Sequence, residues 1–431
     1  MGLEGYFRIK EYSLPQWNFL FGCFVGLYLL QLILTLGLER LNRDHQQKQG
    51  GRVPEGFEGF MDKEKMKQTI AYSGERSRFG SIHLVFSELV FLGLILWGFF
   101  PFLDNLLTRL SWNSVLLGLL FFMIPGFLNA FLDLPFDYYQ AFVIEEKFGF
   151  NRSTLKIWIL DHLKTGLLSL FLFSLVFSLI LWLIQAAPQF WWVWGFLFLS
   201  VFQLVLAVLY PVLIAPLFNK FEAIQGEDLK EKITGLMKKA GVGLKGIFQM
   251  DAGKRSGHTN AYFTGLGKTK RVVLFDTLLQ AHPQEEILGI LAHELGHYKR
   301  RHILKLFLLF AASTLAGLYL AARFLGWSGL YFSFGFGEPK AYVGLFLLGL
   351  IGQKAGFFLV PFSLALSRRY ERQADDYALA KMGTAEPLIA AFKRMAADNL
   401  TNLNPHPFYV RFHYSHPPLV ERINRLRKSA D

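Results

Sequence analysis

Seven stretches of this 431-residue chain are long and apolar enough to cross a bilayer: about residues 17–38, 83–103, 114–134, 166–185, 191–218, 303–325 and 341–366. Such a run, roughly 20 residues long, must be an α-helix in hydrocarbon, where no solvent is present to satisfy a backbone N–H or C=O. The fold is thereby restricted to an assembly of membrane helices, with all other structure confined to the segments between them. The remaining composition agrees, since 45 Phe, 9 Trp and 16 Tyr suit lipid-facing surfaces and interfacial belts. The first run is long for a signal-peptide core and lacks a small-x-small cleavage pattern, so it is read as retained. The opening MGLEGY lacks the Ser or Thr of a myristoylation signal. Cys23, the only cysteine, lies within the first run, which excludes an intrachain disulfide and a cysteine-based metal site.

The basic residues orient the spans. Arg40, Arg43, Lys63, Lys65 and Arg76 follow the first run, and Lys147, Arg152 and Lys156 follow the third, whereas the loops after the second, fourth and sixth hold almost none. The former loops are expected to be cytosolic. With seven spans, the long polar segments 219–302 and 367–431 fall on that same side and can meet. The chain accordingly divides into a membrane domain at 1–218 with five spans, and a second domain at 219–431 that includes spans six and seven. The formal charge of +12 flanks membrane spans and forms no single stripe, which argues against nucleic acid as a partner. Charged groups inside the runs, Glu88, Asp133 and Lys354, are expected to face water, the bundle interior or one another, because hydrocarbon is costly for charge.

Segment 219–302 reads as a folded module. FEAIQGEDLKEKITGLMKKAGV has helical spacing, and TNAYFTG and RVVLFDTLL are β-rich runs joined by GLGKTK as a hairpin. The stretch 44–60 has the least ordered composition. QAHPQEEILGILAHELGHYKRRH then opens a helix at Pro283 with two glutamates. On it His293 and His297, four residues apart, share one face about a turn apart, as two ligands of one metal require. Glu294 stands beside them. In this H-E-x-x-H arrangement, zinc acidifies a water whose proton the glutamate takes and later hands to a leaving amine. Imidazole with carboxylate suits zinc among the common metals.

A catalytic zinc needs a third protein ligand. Beyond the seventh run, SRRYERQADDYALAKMG places Glu371 and Asp375 on one helical face. Glu371 is the candidate ligand, and Asp375 would hydrogen-bond a ligating histidine or supply a proton. His302, in KRRH, reads as a marker of the membrane interface.

HELGH at 293–297, SRRYERQAD at 367–375, RSGHTNAYFTG at 255–265, RVVLFDTLL at 271–279, FVIEEKFGFNRST at 142–154 and HYSHPPLVERI at 413–423 together resemble the type I integral-membrane CAAX prenyl proteases. The resemblance runs through most of the chain. It implies a mainly α-helical, multi-pass fold in which seven transmembrane helices form a hollow barrel, closed by a metalloprotease domain with a small sheet. It further implies one zinc per chain on His293, His297 and Glu371, with Glu294 activating water and Asp375 as the orienting or proton-donating acid. Asn260 would bind an extended substrate backbone beside an edge strand, and His416 and Arg422 would face the scissile carbonyl. The implied partner is a protein with a prenylated C-terminal tail, from which the last three residues are cut. Arg368, Arg369 and Arg422 would suit its carboxylate terminus. The membrane would be the endoplasmic reticulum in a eukaryote and the plasma membrane in a bacterium. Two other readings are a quality-control membrane metalloprotease acting on non-prenylated peptides, and a transporter with a structural metal. The transporter leaves Glu294 without a purpose and predicts a repeat of the spans that is not evident.

Overall fold

All seven apolar runs are helical: Phe19–Lys48, Lys63–Leu96, Ser114–Glu145, Leu155–Ala186, Trp191–Phe218, His302–Phe324 and Ala341–Met382. The structure, a computed structural model, describes residues 13–49, 51–265 and 270–430; the leader read at MGLEGY lies outside them. Several helices run well past their apolar stretches, with side-chain caps that satisfy their first N–H groups. Asn18 accepts from Phe21 N, Asp62 from Lys65 N, Asn113 from Leu116 N and Thr154 from Ile157 N.

Spans one to seven pack in sequence order, the short helix Phe99–Thr108 bridging spans two and three, and span seven returns against span one, so the helices close a ring, with span seven also touching spans three and four. Apolar cores lie at its two ends. One gathers Phe21, Tyr28, Leu92, Leu103, Phe121, Leu181, Tyr331 and Leu347, near the starts of spans one, three and seven and the ends of two and four. The other gathers residues that follow spans one, five and seven, among them Phe57, Ile233, Leu274, Leu291, Ile389 and Ile423. Segments far apart in sequence therefore meet on one side, as the alternation of spans requires. Phe57 is fully buried there, so part of the stretch at 44–60 is anchored in the core instead of being a loose loop.

Charges inside the ring find one another. Lys354 Nζ lies 2.8 Å from both oxygens of Glu88, 3.1 Å from Gln31 Oε1 and 3.9 Å from the centre of the Tyr28 ring. Asp133 contacts His83 Nε2 at 2.8 Å and Asn129 Nδ2 at 2.6 Å.

The small sheet comprises β1 (Phe221–Ala223), β2 (Gly246–Met250), β3 (Ala261–Thr264) and β4 (Arg271–Phe275) in the order β1-β2-β4-β3. The hairpin of β3 and β4 is antiparallel as its turn chemistry predicts, with the tip at 266–269 outside the described residues. β2 runs parallel to β4. β1 belongs to a stretch read as helical; three residues carry too little periodicity to be recognised, and only pairing with β2 defines them. β3 pairs with β4 alone and leaves one edge free among the described residues.

Candidate active site

The HELGH helix, Gln284–Lys299, starts after Pro283, with Glu285 and Glu286 in its first turn where the positive end of the helix dipole favours them. Leu291, Ala292 and Leu295 have no exposed surface, so it is a central helix of the core. Glu286 is itself buried, gripped by both ends of Arg394 at 2.9 Å and by His282 Nδ1 at 2.8 Å. Gly296 sets the next contact. A Cβ added there would lie 2.8 Å from Ala374 Cα and 2.9 Å from its carbonyl oxygen. Only hydrogen at this position lets the helix Val360–Met382, the continuation of span seven, lie so close.

That approach delivers Glu371 to the two histidines. His293 Nε2 and His297 Nε2 are 3.2 Å apart, Glu371 Oε2 is 3.3 Å from the first, and Glu371 Oε1 is 3.2 Å from the second. Ligands about 2.0–2.1 Å from a tetrahedral metal stand about 3.3 Å from one another, so the three donors are already at the spacing of a coordination sphere. Among the described residues Glu371 Oε2 has no hydrogen-bond partner although it is buried, an orphan that a cation between these groups would satisfy. The residues thus fit a divalent metal.

Asp375 lies behind His293. Its Oδ1 is 2.9 Å from His293 Nδ1, and Arg422 reaches its two oxygens from Nε at 2.9 Å and Nη2 at 2.6 Å. The Asp375 side chain is 1% exposed, so of its two anticipated roles the geometry favours orienting His293. Arg422 differs from expectation in a related way. It touches the rear of the cleft, but its guanidinium is committed to Asp375 and stacks 4.0 Å over Phe392. His416, by contrast, is open to the cleft, with Nε2 3.3 Å from Glu371 Oε1 and Nδ1 2.8 Å from Ser415 Oγ.

The cleft holds about 460 Å³ and is lined by Asn260, His293, Glu294, Phe392, Met395 and His416, among others. Burial pushes the Glu294 carboxyl above its ordinary range. Asn260 sits exposed at the head of β3; its Oδ1 accepts from Ala261 N at 2.8 Å, and its backbone oxygen accepts from Phe275 N at 3.1 Å. The site therefore lies between the free edge of a strand and the two ligand-bearing helices.

Two basic residues have partners that the sequence reading did not anticipate. Arg368 Nη1 donates to the carbonyls of Val410 at 3.1 Å and Tyr414 at 2.7 Å, so it holds the segment leading to His416 instead of awaiting a substrate carboxylate. His302, read as a marker of the membrane interface, is 1% exposed, with its Nδ1 3.1 Å from His297 Nδ1. A backbone break after the HELGH helix separates the two histidines, so helical spacing offers no signal for their contact.

Comparison with known proteins agrees with this architecture. Residues 42–220 match the model of the CAAX prenyl protease N-terminal region with five membrane helices, and residues 223–430 match peptidase family M48. The chain is 36% identical to CAAX prenyl protease 1 homolog of Arabidopsis thaliana, over 87% of this chain and 90% of the relative. It is 33% identical to CAAX prenyl protease 1 of Saccharomyces cerevisiae, over 89% and 90%, and 31% identical to the Homo sapiens homolog, over 87% and 88%. The crystal structure of S. mikatae Ste24p superposes with a TM-score of 0.89 at 30% identity, covering 94% of this chain and 98% of that one. A ring of seven spans, a His-His-Glu centre at one end of it and relatives matched over nearly their whole length lead to one assignment: the chain belongs to the integral-membrane CAAX prenyl proteases, metalloendopeptidases of family M48.

Proposed function

We propose that this enzyme is a zinc-dependent endopeptidase that removes the last three residues of prenylated CAAX proteins. The observation carrying the chemistry is the His293, His297 and Glu371 triad, with Glu294 beside it and the free edge of β3 alongside. The names of the relatives carry the substrate class. Bound to the triad, zinc supplies the Lewis acidity that activates water and polarises a carbonyl. The rest falls to the protein. Asn260 and the β3 edge hold the substrate backbone extended, a form of strand addition. Glu294, its pKa raised by burial, accepts the proton of the attacking water and returns it to the leaving amine. His416 faces the developing oxyanion, while Asp375, neutralised by Arg422, holds His293 in orientation. The basic residues after spans one and three favour the cytosolic side for the active site, and the family resemblance implies the endoplasmic reticulum membrane in a eukaryote.

The test uses wild type and Glu294→Gln in detergent, with bound metal measured beside cleavage of a farnesylated peptide and its unprenylated twin. Glu294→Gln is expected to keep the metal and lose about 10²–10⁴-fold in rate. Strong preference for the lipidated peptide supports CAAX processing; equal cleavage of both would make the enzyme a general membrane protease. A wild type that holds metal and cleaves neither would overturn the proposal.

A further inference from the structure

We propose that His302 and Gln373 are positioning residues that set the tautomer and ring orientation of His297, tying the metal centre to the start of the sixth span. The inference rests on the reading of His297 as a metal ligand.

The hydrogen bonds can be assigned one proton at a time. His297 Nε2 points at His293 Nε2 and Glu371 Oε1, each 3.2 Å away, so its lone pair belongs to the metal position. A neutral imidazole has one N–H and one lone pair, which leaves the proton of His297 on Nδ1. The partner of that N–H is His302 Nδ1 at 3.1 Å, which must accept and therefore carries no proton. His302 then holds its own proton on Nε2 and donates it to Gln373 Oε1 at 3.0 Å. The chain terminates in an amide oxygen, an acceptor with nothing to donate. Each step leaves a single consistent assignment.

The surroundings hold His302 for this purpose. It opens the helix His302–Phe324, directly after Arg301, whose φ of 55° places a non-glycine residue in the left-handed region. This break turns the chain so that His302 faces back toward the HELGH helix. Its ring stacks on Tyr370 at 4.4 Å and 10°, and only 1% of the residue is exposed despite the preceding KRR. Tyr370, Glu371 and Gln373 lie on the same helix, so one element supplies a ligand directly and orients another ligand through His302. The two histidines are held differently. His293 leans on a carboxylate, Asp375, whereas His297 leans on a neutral imidazole and amide.

Four variants of the full-length protein in detergent separate hydrogen bonding from packing. His302→Phe keeps a ring against Tyr370 and loses the acceptor; His302→Gln can restore an acceptor. Gln373→Leu removes the terminal acceptor, and Gln373→Glu retains one. Zinc affinity is measured by competition with a chromogenic chelator, and thermal unfolding is followed on the metal-free proteins. His302→Phe and Gln373→Leu are expected to bind zinc about 10–100-fold more weakly, the range for loss of a partner that orients a metal ligand. Their metal-free unfolding temperatures should stay near wild type, and His302→Gln and Gln373→Glu should stay within a few-fold of wild-type affinity. Wild-type affinity in His302→Phe would reduce His302 to a packing residue and overturn the inference. Should His302→Phe not fold, Gln373→Leu decides, with unchanged affinity again overturning it. His297→Ala provides the separate control: if it binds zinc like wild type, the reading of the metal site fails, whereas loss of binding there beside full affinity in His302→Phe and Gln373→Leu sinks only the positioning role.

Discussion

Asp375 shows how one buried carboxylate serves both stability and the site. It is held by Arg422 and itself holds His293, and all three side chains are less than one-tenth exposed. Asp375→Asn keeps the shape but removes the carboxylate that grips Arg422 most tightly, leaving that buried charge only Glu371 at 3.6 Å, a loss of about 3 kcal/mol. Thermal unfolding of the metal-free protein should fall accordingly, and zinc affinity should drop about 10–100-fold. Adding Arg422→Gln should recover much of the stability and little of the affinity, because the His293 contact stays altered. His282 gives a pH dependence. Its side chain has no exposed surface, its Nε2 has no partner among the described residues, and burial holds its pKa below the ordinary 6.5. The unfolded chain then binds more protons around that pH than the native one, so stability falls as pH drops below it, by up to about 1.4 kcal/mol per pH unit. In unfolding scans from pH 7.5 to 5, His282→Gln should flatten that decline.

Among the elements, the pair formed by the HELGH helix and the continuation of span seven defines the site, and Gly296 defines the pair. Gly296→Ala pushes a methyl group into backbone at Ala374, where no side chain can swing aside. The expected cost is about 1–3 kcal/mol, with the helices displaced and Glu371 withdrawn from the histidines. Metal content should fall while the helical circular dichroism signal is kept; a variant that binds zinc like wild type would show that the helices can slide without moving the ligand. The H-E-x-x-H motif and the i, i+4 spacing of Glu371 and Asp375 were readable in the sequence because both are properties of a single helix. The contact that joins them was not, since nothing within the helix itself marks Gly296 as the point where a second helix lies against it.

For the whole molecule, closure of the ring depends on polar contacts within the spans. Lys354 of span seven meets Glu88 of span two and Gln31 of span one. Lys354→Met leaves the Glu88 carboxylate without its cation in a setting that penalises charge, and should lower stability in detergent by about 3 kcal/mol. The double variant with Glu88→Gln should regain most of it, measured by thermal unfolding; additive losses would mean that the two groups do not act as a pair.

The sequence by itself determined the seven spans, the side of the membrane that each polar segment shares, the β3 and β4 hairpin and the residues that meet at the candidate metal centre. Hydropathy runs, helical spacing and turn chemistry are local, so each is legible without neighbours. Only the tertiary structure decided that Phe57 joins the core, that β1 is a strand, that Arg422 faces Asp375, that Arg368 holds backbone carbonyls and that His302 touches His297. Each depends on a partner outside its own element or across a break in the helix. A side chain's type shows what it can bond; which of many distant groups it does bond is settled when the helices pack.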